Sequence, residues 1–401
     1  MARDAASPEF ELIAACCRWP IDLGGIRSAC TPAIDRQRLV KLARRHRVVG
    51  LVHHGLAAAG IAIPPVLTDD RRRLVVRNLL LAAEAVRVHA LLTEAGVRHL
   101  FLKGAAVGEI AYGTQTIKQT LDNDLLVDPA DVPAVLDLLS AAGYELVEPV
   151  ASLDRRRLTV LVDLLKECLL VHREHRAQID LHWRALAARG LVDAPDLTRD
   201  VRKIGVEGYG LPTLVPSKLM IYLAMHGARH GWHRLKWLAD FNALLAGMPA
   251  EDVIAMRDLA RKEGAGQAME LALLQSRRLF STPIPEGIGR SRRVRWLAFL
   301  SDEMMRGRDE LVNQSDAPQR YKMMAHASGL LLSSRPRYLF DYVWAGLVAT
   351  DHILALPLPR VMYGFYFIAS PPFRIAGAAG RFVSQGISRL SRSAMRGGPE
   401  N

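Results

Sequence analysis

The run Thr120-Leu121-Asp122-Asn123-Asp124-Leu125-Leu126-Val127 sets two carboxylates two residues apart inside an otherwise apolar stretch. Side chains alternate faces along a strand, so Asp122 and Asp124 are expected to point the same way, with Asn123 pointing away. Two like charges side by side on a half-buried surface repel, and a bound divalent cation would offset that cost. Asp-x-Asp pairs also occur as turns and helix caps, but the apolar flanks favour a strand. A third acid, Asp180, lies in Gln178-Ile179-Asp180-Leu181-His182-Trp183, where alternation separates Asp180 and His182 from Ile179, Leu181 and Trp183. Three acids on neighbouring strands suit a pair of Mg²⁺ ions, which take oxygen ligands and bridge to phosphates. The third acid is also placed to take a proton from an attacking hydroxyl. Replacing Asp122 or Asp124 by Asn is expected to abolish metal-dependent turnover while leaving the fold intact, or even relieving repulsion.

Upstream, Phe101-Leu102-Lys103-Gly104-Ala105 reads as a strand that ends in a glycine and opens a helix. Amides exposed at such a start attract phosphate, and Lys103 adds charge. Further along, His226, His230, His233, Trp237 and Asp240 recur at helical spacing. The pair His226 and His230 has the spacing of zinc ligands but lacks a zincin glutamate and an obvious third ligand. A polar seam between packed elements suits the pattern better. A face closing over a nucleotide is the third reading, with Lys236 near phosphate and Asp240 orienting a neighbour. His182 reads as a support for the acids rather than a ligand.

The elements that must position these residues follow from periodicity. Residues 1–70 read as short helices, with helical spacing from Gln37 to Ala59. A long helix is expected over Val75 to Ala95, with Leu79, Leu80, Ala83, Val86 and Leu91 on its inner side. A strand (97–102), a helix (104–112), the acidic strand, a helix ending at Ala142 and a short strand (144–147) come next. Strands at 168–174 and 178–183 are joined by a turn, and from Pro216 onward the pattern is almost wholly helical. The implied division is an N-terminal helical region (1–94), a core (95–190), a helical domain (210–335) and a basic, aromatic C-terminal segment (336–401).

Length and composition bound the rest. At 401 residues, half of them hydrophobic, the chain can build two or three cored domains. A formal net charge of +12 favours anionic partners without choosing among nucleotides, nucleic acid and acidic membranes. The four cysteines, Cys16, Cys17, Cys30 and Cys168, form no CxxC pair, which points to reduced thiols in the cytoplasm. The N-terminus carries no signal-peptide pattern. Beyond Ile353 there are six Arg and one Glu among aromatics. Such a segment suits weak contact with an acidic membrane surface, or a helix packed on the body followed by a basic tail.

The series Leu102-Lys103-Gly104-Ala105-Ala106, Tyr112-Gly113, Asp122-x-Asp124-Leu125-Leu126-Val127 and Ile179-Asp180-Leu181-His182-Trp183 resembles an uncharacterised nucleotidyltransferase family of the DNA polymerase β-like superfamily. So does His226-Gly227-x-x-His230-Gly231-Trp232-x-x-Leu235-Lys236-Trp237-Leu238-x-Asp240. The likeness covers roughly residues 95–245, and more weakly the N-terminal helices. It implies an α+β fold: a small mixed sheet with a largely helical remainder. It also implies Asp122, Asp124 and Asp180 as the catalytic, metal-binding acids, with Lys103 and Gly104 at the nucleotide phosphates. Lys118 stands where the family often has Arg, and supplies charge without a bidentate fork. The expected chemistry is Mg²⁺- or Mn²⁺-dependent transfer of an NMP from an NTP to an acceptor, with pyrophosphate leaving. The acceptor stays open between small molecule, peptide and RNA. An enzyme adding nucleotides to RNA 3′ ends and a non-catalytic scaffold at the membrane surface are the alternatives.

Overall fold

A computed structural model describes residues 7–149, 153–185, 195–306, 319–348 and 350–372. Four short helices open the chain: α1 (Pro8–Cys16), α2 (Leu23–Ala29), α3 (Arg36–Arg45) and α4 (Val49–Ala58). Side-chain caps start the first three: Ser7, Asp22 and Asp35 each accept from a first-turn amide. The helical pattern from Gln37 to Ala59 is thus two helices, broken at Arg47, which adopts φ 54°. The long helix α5 (Pro65–Glu94) begins ten residues before the expected Val75, at a proline suited to a helix start.

The inner face of α5 also differs from expectation. Leu79 and Leu80 are exposed, whereas Leu74, Asn78, Leu81, Ala82, Ala85, Val88 and Leu92 are buried. Asn78 decides the rotation. Its Nδ2 donates to the carbonyls of Gln115 and Lys118, and its Oδ1 accepts from the Thr120 amide at 3.2 Å. A buried side-chain amide meeting these partners outweighs exposure of two leucines.

There follow β1 (His99–Phe101), α6 (Ala105–Tyr112), β2 (Asn123–Val127), α7 (Val132–Ala141), β3 (Glu145–Glu148), α8 (Arg155–Leu164), β4 (Glu167–His172) and β5 (Ala177–His182). A further hairpin, β6 (Val201–Val206) and β7 (Tyr209–Leu214), precedes the helices α9 (Pro216–Arg229), α10 (Leu235–Leu245), α11 (Ala250–Lys262), α12 (Gly266–Phe280) and α13 (Arg292–Arg306). The described chain ends through α14 (Gln319–Leu331), α15 (Pro336–Leu347), α16 (Thr350–Ala355) and a 3-10 turn at Arg360–Met362.

The strands form one mixed sheet in the order β3-β4-β5-β2-β1-β7-β6, so the fold is α+β. Strand β2 lies centrally, parallel to β5 and antiparallel to β1, and all five of its residues are buried. Its side chains alternate between two apolar layers. Leu126 joins a cluster built with the N-terminal helices and α9–α13, whereas Leu125 and Val127 join one built with α5, α7 and α8. Each fully buried leucine contributes about 2 kcal/mol, so both faces are held in register. Asp124 shares the face of Leu126 and therefore looks toward α9 and α10. Asn123 takes the opposite face and donates to the Leu81 carbonyl of α5 at 3.0 Å.

Residues 336–348 and 350–372 fold back onto α8. Tyr366 packs against Val160, and the Arg360 guanidinium pairs with Asp163 at 2.6 Å. Their outer side leaves Phe340, Val343, Leu347, Met362 and Phe365 exposed, with Val361 93% and Ile368 73% exposed. Residues 373–401, which carry most of the basic tail, lie outside the described residues. Among the described residues, no helix is long and apolar enough to cross a membrane.

Candidate active site

The β1–α6 turn is built around Gly104, whose φ of 71° and ψ of −132° suit only a residue without Cβ. A Cβ there would lie 3.3 Å from the Asn123 Oδ1. The Leu102 amide donates to the Asp124 carbonyl at 2.9 Å, so the turn is tied to the acidic strand. Lys103 leaves this turn and places its Nζ 2.8 Å from Asp124 Oδ1.

Parallel pairing sets Asp124 directly beside Asp180. Asp124, Asp180 and His182 each bring a ligand atom within 4.8 Å of the others. Two cationic groups meet at Asp124 Oδ1, because His182 Nε2 lies 3.2 Å from the same oxygen as Lys103. Burial works to raise the Asp124 carboxyl, but Lys103 and His182 overcome it and hold the group well below the usual carboxylate range. Its other oxygen, Oδ2, is buried with no hydrogen-bond partner. For Asp180 the charge of His182 works in the lowering direction but is outweighed. Burial, then the charges of Asp122 and Asp124, push its carboxyl up to about 7. Asp122 lies in the bend just before β2, and among the described residues it does not join the group of ligand atoms, though its charge is one of those that raise Asp180.

The donor set fits a divalent cation. An orphaned carboxylate oxygen on Asp124 faces a second carboxylate and an imidazole, and acids that repel each other gain from a shared counter-charge. Relief of repulsion on substitution then applies to Asp122 and Asp180, but not to Asp124, which serves as counter-ion to Lys103 and His182. His182 reads from the sequence as a support rather than a ligand; it touches Asp124, and its ring nitrogen also belongs to the group of atoms that could hold a metal. Its Nδ1 lies 3.0 Å from Glu167 Oε2, and Glu167 in turn pairs with Lys166. Glu167 and Lys166 escaped the sequence reading. Counting back from the hairpin turn, from His172 opposite Ala177, places Glu167 opposite His182.

The remaining residues form two groups on the helical side. Lys118 and Asp240 are both buried, with Nζ and Oδ2 3.7 Å apart, and Asp240 Oδ1 accepts from the Tyr112 hydroxyl at 3.0 Å. Lys236 reaches the Gln119 carbonyl at 3.5 Å, and burial beside Lys118 pulls its ammonium down to about 7. His226 and His230 pack on Trp237, with ring centroids 5.5 and 5.0 Å away. Burial first, with Lys103 and other cations adding, keeps both rings neutral, His230 down to about 3. Among the described residues neither histidine joins a metal-type cluster. They form an aromatic wall beside Lys103.

A cleft of about 800 Å³ reaches Asp180 from the edge of the sheet. Its walls carry Glu148, Glu167, Asp180 and Asp351, with Lys166 as their cation.

Residues 32–281 match the model of a family described as an uncharacterised nucleotidyltransferase. No curated protein and no solved structure matches the chain.

Proposed function

The chain belongs to this uncharacterised nucleotidyltransferase family, and from that premise we propose that it moves an NMP from an NTP to an acceptor hydroxyl or phosphate, releasing pyrophosphate. The observation that carries this reading is the pairing of Asp124 with Asp180 on adjacent parallel strands, with Asp122 beside them. In it, Asp122, Asp124 and Asp180 would hold Mg²⁺ or Mn²⁺. When bound, such ions neutralise charge on the transferring phosphoryl group and on the leaving pyrophosphate.

The chain's own groups supply the rest. Asp180, beside Asp124 on the adjacent strand, is the group placed to accept the proton from the acceptor hydroxyl. Lys103 exchanges Asp124 for a phosphate oxygen, and the glycine turn lets backbone approach it closely. His182, fixed by Glu167, orients Asp124. Lys118 and Lys236 face the phosphates, and Asp240 positions Lys118. His226 and His230, uncharged, give Lys103 an aromatic flank that adds no competing charge. We place the reaction in the cytoplasm, where nucleotides are found and free thiols persist; all four cysteines are free.

The acceptor enters through the cleft beside Asp180. Its acidic walls favour an uncharged or cationic acceptor, small molecule or peptide, over the RNA 3′ end that the overall basic charge suggested. Residues 336–401 add weak contact with an acidic membrane surface.

The test incubates the protein with Mg²⁺ or Mn²⁺, each NTP radiolabelled at its α-phosphate, and a cell extract. Label should pass to a small-molecule or peptide fraction, and Asp122→Asn should lower transfer by about a hundredfold or more. Undiminished transfer by Asp122→Asn would sink the site assignment. Label confined to RNA would replace the acceptor with a 3′ end.

A further inference from the structure

The corner between α3 and α4 docks on the start of α10. His46 accepts twice there: its Nδ1 from the Leu235 amide at 3.1 Å, and its carbonyl from the Lys236 amide at 3.2 Å. The docking gathers positive charge. Arg47 projects from the corner at φ 54°, Arg234 is buried at the start of α10, and Lys236 follows it. Lys118 lies beside Lys236, and Arg77 donates to the Leu121 carbonyl at 2.8 Å, one residue before Asp122. The acids facing this group are Asp240, already taken by Tyr112 and Lys118, and Asp122. Among the described residues, Arg47, Arg234 and Lys236 have no carboxylate at ion-pair distance. We propose that Arg47, Arg234 and Lys236, with Lys118 and Arg77, form a seat for the polyphosphate of the substrate nucleotide, assembled by the N-terminal helices against α10.

Three cations gathered partly out of water, with no carboxylate at ion-pair distance, are costly, and a multiply charged anion offsets that cost. Burial and mutual repulsion lower Arg234 to about 10 and Lys236 to about 7, as expected of cations waiting for an anion. Arginine forks match phosphate oxygens two at a time. The position suits the β- and γ-phosphates in particular. Arg47 and Lys236 both feel Asp122, one of the acids proposed to hold the metal, so the seat begins beside the reacting end of the nucleotide. The seat deepens the nucleotidyl-transfer reading and rests on it for the identity of the anion.

Inorganic tripolyphosphate, without added divalent cation, is the probe. It should bind the full-length protein and raise its Tm. Arg47→Met and Arg234→Met should each weaken tripolyphosphate and NTP binding by at least about tenfold, while NMP binding holds. Without anion, neither variant should be less stable than the parent, since each loses a partly or fully buried cation with no carboxylate at ion-pair distance; a merely structural arginine would behave oppositely. Unchanged tripolyphosphate affinity in both variants overturns the seat. Displacement of tripolyphosphate by a single-stranded oligonucleotide but not by NTP overturns its assignment to the nucleotide. Arginine-dependent tripolyphosphate and NTP binding with no transfer of label supports the seat and defeats the transferase reading instead.

Discussion

Asp124 is the most heavily engaged side chain of the site. Its Oδ1 faces Lys103 and His182, its Oδ2 is buried without a partner, and its strand neighbour is another acid. From the sequence, Asp122 and Asp124 look equivalent, two acids repelling on one face. The structure separates them, because Asp124 takes two groups at contact distance, Lys103 at 2.8 Å and His182 at 3.2 Å. Asp124→Asn should therefore destabilise the protein, by about 3 kcal/mol, since it strands a Lys ammonium against a neutral amide. Asp122→Asn removes a neighbour that raises Asp180 and should leave stability unchanged or improved. Urea unfolding of the two variants at neutral pH distinguishes them, and equal midpoints would contradict the pairing of Lys103 with Asp124. Asp124 and Asp180 were legible because alternation within one strand is local, whereas Asp122, expected on the strand of Asp124, lies in the bend just before it. Lys103 turning back onto Asp124 was not legible, since it depends on the turn at Gly104 and on which strands pair.

Among the elements, those whose patterning is local match the sequence reading closely. The strand–turn–helix at Gly104, the acidic strand and the β4–β5 hairpin all carry strong alternation or caps. The β6–β7 hairpin went unassigned because Gly205, Gly208, Gly210 and Pro212 dilute its pattern. It joins the sheet through a single register pair, Phe101 with Thr213, supported by the Thr213 hydroxyl donating to the Phe101 carbonyl at 2.7 Å. The rotation of α5 was hidden for a different reason. It is set by Asn78 bonding to a loop some forty residues away, which hydrophobic periodicity does not register. That loop, residues 113–122, carries Lys118 and Asp122 and is pressed from the other side by α4. A Cβ on Gly50 would lie 2.1 Å from the Ile117 carbonyl oxygen, a backbone atom that can move only with the loop. Gly50→Ala should thus cost about 1–3 kcal/mol of stability and displace Lys118. Transfer activity should fall while Mn²⁺ binding at the acids survives. A variant with parental Tm and parental kcat/KM would show that α4 does not brace the site.

Across the whole molecule, the net charge of +12 is unevenly placed. Cations gather at the corner of α3 and α4 and at α10, acids line the cleft at Asp180, and a second basic excess falls in the C-terminal segment. Composition alone reports only the sum, which is why it pointed equally to nucleotides, RNA and membranes. The C-terminal excess falls in residues 373–401, outside the described residues, and the described segment that precedes it in sequence exposes an apolar face, with Val361, Ile368, Phe340 and Phe365 all turned outward. Apolar side chains beside arginines are the pairing that an anionic bilayer surface rewards, through shallow insertion and attraction to headgroups. The attraction is electrostatic at range, so it must weaken as salt shortens the Debye length to about 8 Å at physiological ionic strength. The full chain should therefore sediment with vesicles containing phosphatidylserine, less so with neutral phosphatidylcholine vesicles, and progressively less as salt rises. Substituting Val361→Asp and Ile368→Asp together should reduce the bound fraction several-fold without lowering Tm, because neither side chain is buried in the body. Equal binding to neutral and anionic vesicles, or binding unaffected by the double substitution, would remove the membrane surface as a partner and leave this face to another contact.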